Sequence, residues 1–208
     1  MQEKIVILDF GSQTTQLIAR RVRELNTYCE ILPYNKFPEG DESVKGVILS
    51  GSPFSVYDES AFKADLSEIR GKYPILGICY GAQFIVYGLG GTIGKANENA
   101  AAEFGRTECE FDTECAVFDG LKKNSVVWMS HNDYIEVLPD GFKAVGHSDK
   151  CPYAAIENVE KGFYATQFHP EVNHTEQGFD MLGNFLYKVC HCKGAVSYTH
   201  LTLPTNSL

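Results

Sequence analysis

No stretch of this 208-residue chain is apolar over the length a membrane span requires, and no signal peptide is read at its start. Basic residues are in short supply: 18 Lys and Arg stand against 27 Asp and Glu, for a net charge of −9. A nucleic-acid role therefore has no electrostatic support. A disulfide framework is also missing. The seven cysteines are odd in number and show no paired spacing, so the expectation is free thiols in a reducing cytoplasm. Cys190-His191-Cys192 has no second ligand pair at any usual zinc spacing, so no metal site is expected. Without internal repeats or a long linker, the length fits one domain that buries a sizeable core.

What is present is a cysteine in an unusual place. Residues 75 to 83 read ILGICYGAQ. The run Pro74-Ile75-Leu76-Gly77-Ile78 is short, apolar and continuous, as a strand buried on both faces of a parallel sheet should be. A helix follows, with Ala82, Ile85, Val86 and Leu89 at three- and four-residue spacing and Gly88, Gly90 and Gly91 closing it. Cys79 falls on the strand-to-helix turn, between Gly77 and Gly81. Such glycines permit strained angles and clear the approach to a nucleophile, and the helix N-terminus favours thiolate over thiol. A buried cysteine taken alone is more often a small inert hydrophobe.

A reactive thiol needs a base and a group to orient that base. Of the six histidines, His169 ends an alternating apolar stretch, Gly162 to Phe168, that reads as a strand, and Pro170 and Glu171 follow it. The proline stops the strand, and the glutamate is close enough to turn back toward the imidazole. Cys79, His169 and Glu171 are thus the candidate nucleophile, base and orienter. A strand-end histidine beside an acid is common on ordinary surfaces, so spacing alone leaves this open.

The remaining pattern reads as an α/β domain. Lys4 to Asp9 and Val44 to Ser50 read as strands, Leu17, Ile18, Val22 and Leu25 as the buried stripe of a first helix, and Ala61 to Arg70 as another helix. Between Glu103 and Ile156 shorter strands alternate with turns at Asp119-Gly120, Pro139-Asp140-Gly141 and His147-Ser148-Asp149, which points to antiparallel strands beside the parallel sheet. A last helix follows His174, with Phe179, Leu182, Phe185, Leu186 and Val189 facing the core. Asp9, Ser50, Cys79 and His169 all fall at or just beyond strand ends, where ligands bind in open α/β sheets. The turn Ser50-Gly51-Ser52-Pro53 is of the small-residue kind that aims backbone N–H groups at an oxygen.

The chain resembles the class I (triad) glutamine amidotransferases, in which GxCxG carries the nucleophile and HPE the base and its partner. The matching stretches are Leu8 to Gln13, Ile48 to Pro53, Gly77 to Gln83, Trp128 to Asp133 and Gln167 to Val172. The resemblance as a whole extends over roughly residues 3 to 193. The DFGSQ start, the tryptophan-preceded SHxD and the HPEV-x-HT continuation favour the branch that supplies ammonia for amination of xanthosine monophosphate. The resemblance implies a mostly parallel, flavodoxin-like central sheet flanked by helices, with a smaller antiparallel sheet.

It also implies roles. Cys79, His169 and Glu171 would be the triad, and the backbone N–H groups of Ser52 and Tyr80 the oxyanion hole. Gly51, Gln83, Ser130, His131, Asn132 and Asp133 would bind L-glutamine. Two positions depart from the family pattern: Ser52 replaces a glycine, and so does Asn132, a residue suited to the left-handed angles glycine adopts. For His131 an ordinary structural role stays open beside direct chemistry. No cofactor is implied in residues 1–193. ATP and magnesium belong to a synthetase (ATP pyrophosphatase) domain or subunit, whose Ser-Gly-Gly-rich phosphate loop is not found here. Residues 194–208 are expected to be a disordered or non-native tail. The other readings are a partner-dependent or inactive binding module, and an amidotransferase of another pathway such as anthranilate or carbamoyl phosphate synthesis.

Overall fold

The computed structural model describes residues 2–37, 40–58, 66, 69–96 and 102–194. Its frame is a nine-stranded sheet that begins parallel and ends antiparallel. The parallel part comprises β1 (Lys4–Asp9), β2 (Tyr28–Pro33), β3 (Val44–Leu49), β4 (Ile75–Ile78) and, late in the chain, β11 (Phe163–Thr166). Beyond β11 the sheet continues through β10 (Ala155–Asn158), β9 (Lys143–His147), β6 (Glu103–Phe111) and β7 (Asn124–His131), each antiparallel to its neighbour. A separate two-stranded antiparallel sheet pairs β5 (Thr92–Lys95) with β8 (Asp133–Val137). The α/β class and the small antiparallel sheet are as expected. Most of the expected antiparallel strands extend the main sheet.

Alternation along the strands sorts the core into two layers. Ile5, Ile7, Ile48, Leu76 and Ile78 pack on one face with Ile18, Ala19 and Val22 of α1 (Thr15–Glu24) and with Met181 and Leu182 of α3 (Gly178–Asn184). Val6, Leu8, Val47, Leu49 and Ile75 pack on the other with Tyr80, Phe84, Ile85 and Val86 of α2 (Tyr80–Gly88). Leu17 and Leu25 are only half-buried, and Leu25 lies just beyond α1. Phe179, expected to face the core, is exposed, because Met181 and Leu182 set the inward stripe of α3. From Phe185 to Val189 the chain widens into a π-helical turn, with Phe185 and Leu186 both in the core. Strands β2 and β5 have no counterpart in the sequence reading. The helix expected over residues 61–70 and the tail expected over 194–208 lie outside the described residues apart from positions 66, 69, 70 and 194.

The glycines beside Cys79 have a different job from the one expected. Neither takes a left-handed angle. A Cβ at Gly77 would lie 2.6 Å from the backbone carbon of Gly81, and one at Gly81 would lie 2.5 Å from the carbonyl oxygen of Leu49. They let α2 sit directly on β3 and β4. Gly81→Ala should therefore lower stability by about 1–3 kcal/mol through overpacking, seen as a lower urea midpoint at unchanged m value. Gly88→Ala is the control, since its Cβ meets nothing closer than 3.8 Å, and its midpoint should stay or rise.

Candidate active site

Adjacency of β4 and β11 brings the candidate nucleophile and base together. Ile78 pairs with Thr166, so Cys79 and His169 leave neighbouring parallel strands at the same edge of the sheet. The Cys79 N–H donates to Thr166 O at 2.8 Å, while Cys79 O accepts from the N–H groups of Ala82 and Gln83. These contacts hold Cys79 at φ 53° and ψ −104°, a conformation costing a side-chain-bearing residue on the order of 1–3 kcal/mol. The strain is on the cysteine itself and turns its sulfur out of the strand line. Tyr80, the first residue of α2, stands where backbone N–H groups point out of the helix end.

His169 is fixed from several directions. Its N–H donates to Trp128 O at 3.0 Å, and its own carbonyl accepts from the Thr175 hydroxyl at 2.6 Å. Thr175 Oγ1 also accepts from the Trp128 N–H at 3.0 Å, and His174 lies against the Trp128 ring with centroids 4.5 Å apart. The HPEV-x-HT stretch is thus a clamp that ties the base to β7. Nδ1 of His169 donates to Glu171 Oε1 at 2.8 Å. The Thr14 hydroxyl donates to the same oxygen at 2.7 Å, and Arg21 Nε donates to the Glu171 backbone carbonyl at 3.0 Å. Glu171 is fully buried. Burial pushes the His169 imidazole down, but hydrogen bonds to Cys79 and Glu171, with the charges of both, outweigh it and raise the ring from 6.5 to about 10.

Two clefts of about 380 and 320 Å³ meet at Cys79. The first is lined by Ser52, Tyr80, Gln83, Ser130, His131, Asn132 and Asp133, which gathers most of the expected oxyanion and substrate residues around one space. The second is lined by Gly51, His169 and the turn from Gly11 to Thr14. Gly51 abuts the base: a Cβ there would lie 3.5 Å from His169 Cε1. Asn132 takes no left-handed angle, so this position makes no demand for glycine. Both amide hydrogens of Gln83 are engaged, one by Asp133 O at 2.8 Å and the other by Gln167 Oε1 at 3.3 Å. This follows from its place in a helix whose first seven residues are all buried, where a polar side chain must find partners.

Asp9 and Ser50 fall at strand ends as expected but do structural work. Asp9 Oδ1 accepts from the Gly11 N–H and the Thr15 hydroxyl, and Ser50 Oγ bridges the Phe10 N–H and the Gly51 carbonyl. Sequence reasoning missed Thr14 and Arg21, which hold Glu171, and Gln167, whose Nε2 lies 3.7 Å from Cys79 Sγ. Position 167 carried a signal, since a polar residue in an otherwise apolar strand end must face something polar. Cys190 and Cys192 are buried while His191 is exposed, so the three do not converge. Burial pushes Cys109, Cys115 and Cys151 up to about 12 and Cys192 up to about 11, and these thiols behave as apolar groups. Among the described residues, no helix is long and apolar enough to cross a membrane.

A model of the family "Glutamine amidotransferase class-I" matches residues 6–189. GMP synthase [glutamine-hydrolyzing] of Bacteroides fragilis is 61% identical over 194 residues, which are 93% of this chain and 38% of that protein. The same enzyme of Phocaeicola vulgatus is 57% identical over 207 residues, 98% of this chain and 40% of that protein. The chain thus spans well under half the length of these curated relatives. Among solved structures, a GMP synthase component from Thermoplasma acidophilum superposes with a TM-score of 0.80 at 35% identity, covering 92% of this chain and 95% of that one. A glutamine amidotransferase from Thermotoga maritima shares the fold at a TM-score of 0.73 and 18% identity, over 91% of this chain and 99% of that one.

The raised imidazole has a thermodynamic consequence. A base whose folded-state value is raised adds stability that is complete below the ordinary value of 6.5 and lost as pH rises through about 10. The difference in unfolding free energy between this chain and His169→Asn should be largest at and below pH 6.5 and shrink toward pH 10. Urea titrations across that range check it, and a difference that is constant or grows with pH would contradict the assignment.

Proposed function

The chain belongs to the glutamine amidotransferase class-I family, and on that premise we propose that it hydrolyses L-glutamine to glutamate and ammonia through a thioester on Cys79. The observation that carries this reading is the Glu171–His169 contact at 2.8 Å beside a cysteine held at φ 53° at the mouth of two clefts.

The chemistry runs as follows. Cys79, as a thiolate whose proton has passed to His169 Nε2, attacks the side-chain amide carbon of glutamine, and the carbonyl π electrons move onto oxygen. Backbone N–H groups at Ser52 and Tyr80 receive the resulting oxyanion, a contribution whose loss typically costs roughly 10²–10³ in rate. His169 gives its Nε2 proton to the amide nitrogen, the C–N bond breaks, and ammonia leaves a γ-glutamyl thioester. His169 then takes a proton from water, hydroxide adds to the thioester carbon, and glutamate departs as the C–S bond breaks. Glu171 keeps Nδ1 protonated throughout, which leaves Nε2 to carry the moving proton. The cleft from Ser130 to Asp133 receives the α-ammonium and α-carboxylate, with the Asp133 carboxylate facing the ammonium.

The extent and identity of these relatives support a finer reading. Residues 1–193 form the amidotransferase domain of a GMP synthetase, and its ammonia aminates xanthosine monophosphate in a synthetase domain or subunit outside this sequence. ATP and magnesium are assigned to that partner, and this domain's chemistry uses side chains and backbone alone. The setting is cytoplasmic, with neither nucleic acid nor membrane as a partner.

Glutamate release from glutamine by the purified chain, run beside Cys79→Ala and Glu171→Gln, tests the proposal. Turnover should vanish in Cys79→Ala and fall by roughly 10³–10⁴ in Glu171→Gln, the loss expected when a base is left without its orienting carboxylate. Undiminished turnover in Cys79→Ala would overturn the mechanism. A folded chain without turnover that gains it on adding a synthetase partner would make the site partner-dependent.

A further inference from the structure

Behind the substrate cleft runs a buried chain of polar groups that the triad does not include. Glu103 opens β6 and pairs in register with His131, the last residue of β7. Both are buried. The Ser148 hydroxyl donates to Glu103 Oε1 at 2.9 Å, and Glu103 Oε2 lies 3.4 Å from His131 Nε2. On the other side of the ring, His131 Nδ1 lies 2.9 Å from the Asp133 backbone oxygen, which also accepts from Gln83. Gln83 then reaches Gln167, and Gln167 reaches Cys79. One run of contacts therefore joins Glu103 to the nucleophile.

The contacts fix where protons must be. A carbonyl oxygen has no proton to give, so Nδ1 of His131 is the donor to Asp133. A neutral ring protonated on Nδ1 presents a lone pair at Nε2, and here that lone pair would face a carboxylate oxygen away from water. Two buried acceptors turned on each other are destabilising. Neither Glu103 Oε2 nor His131 Nε2 has a hydrogen-bond partner of its own among the described residues. One added proton resolves the conflict and makes the contact charge-assisted. Cys151 is the third polar neighbour, with its sulfur within 4.8 Å of a carboxylate oxygen of Glu103 and a ring nitrogen of His131. Burial pushes that thiol up to about 12, so by itself it stays a neutral S–H at neutral pH.

We propose that Glu103 and His131 share one proton as a buried carboxylate–imidazolium pair, and that Glu103 is thereby a positioning residue for the β7–β8 junction, residues 130–133, that receives glutamine. The junction's role rests on the amidotransferase reading; the proton assignment does not.

Two measurements on the full chain separate these parts. In 15N-histidine NMR, His131 should show both ring nitrogens protonated near neutral pH. Glu103→Gln, whose amide donates to Nε2 and still accepts from Ser148, should convert the ring to the neutral form protonated on Nδ1. A neutral ring in the unaltered chain would overturn the pair. Stoichiometric zinc in the purified chain that is lost in Cys151→Ser would overturn it in favour of a metal site.

The second measurement compares inactivation by a glutamine-shaped diazoketone, 6-diazo-5-oxo-L-norleucine, with inactivation by iodoacetamide, which lacks the α-ammonium and α-carboxylate. In Glu103→Gln the half-saturating diazoketone concentration should rise about tenfold, as expected for a weakened charge-assisted contact, with the saturated rate and the iodoacetamide rate changed less than about twofold. Equal slowing with both reagents, or an unchanged half-saturation, would overturn the positioning role. If the unaltered chain reacts with iodoacetamide but shows no saturation with the diazoketone, the glutamine reading fails and takes the junction's role with it, while the NMR result still decides the pair.

Discussion

The close seating of α2 on β3 and β4 is the constraint from which the site follows. Gly81 allows the helix backbone to reach the carbonyl of Leu49, and Gly77 allows the strand backbone to reach Gly81. With the helix drawn in this far, the chain has a single residue in which to turn from strand to helix, and that residue takes φ 53°. Close-packed interiors do not deform continuously, so the strain cannot leak into neighbouring elements. The core itself holds the sulfur at the strand edge.

The same packing explains why the supports of the site are polar and far apart in sequence. Helix α2 is enclosed along its first two turns, so Gln83 must satisfy its amide inside the protein. It does so on Asp133 O and Gln167, which couples the helix that follows Cys79 to the β7–β8 junction. On the opposite side, α1 contributes Arg21 and the turn before it contributes Thr14, both directed at Glu171. The base is thus oriented from the N-terminal part of the chain and clamped to β7 by Thr175. Movement of any one of these segments would be felt at Nδ1 or Nε2 of His169.

This division also explains what could be read in the sequence. Cys79 and His169 were legible as candidates because each sits at the end of an apolar run whose period and punctuation survive in a single chain, and Glu171 because it follows the histidine by two residues, while spacing alone left their partnership open. The strand and helix carrying Cys79, and β1, were legible for the same reason. Thr14 was not, because its partner lies 157 residues away and nothing in the pattern around Ser12 and Gln13 marks a hydroxyl aimed at a distant carboxylate. Glu103 opens a strand whose exposed and buried positions alternate, and by sequence it looks like one more solvated acid. Phe179 failed for the opposite reason: five apolar residues share the helical spacing of the last helix, while Met181 and Leu182 set the inward stripe of α3 and leave Phe179 outside it.

In a chain of net charge −9, the buried acids have a common rule. Three glutamates are buried among the described residues, and each faces a group able to carry positive charge: Glu171 meets His169 at 2.8 Å, Glu103 meets His131 at 3.4 Å, and Glu157 meets Lys143 at 3.0 Å. Removing a carboxylate from water is costly, and its partner returns that cost only while both are in place. Such pairs add little net stability, but losing one member strands the other. Lys143 is itself exposed and stays solvated around its contact. The two imidazoles are enclosed, and both flank the cleft in which Cys79 stands. Proton placement, which a surface pair leaves to solvent, is in these two pairs dictated by the fold.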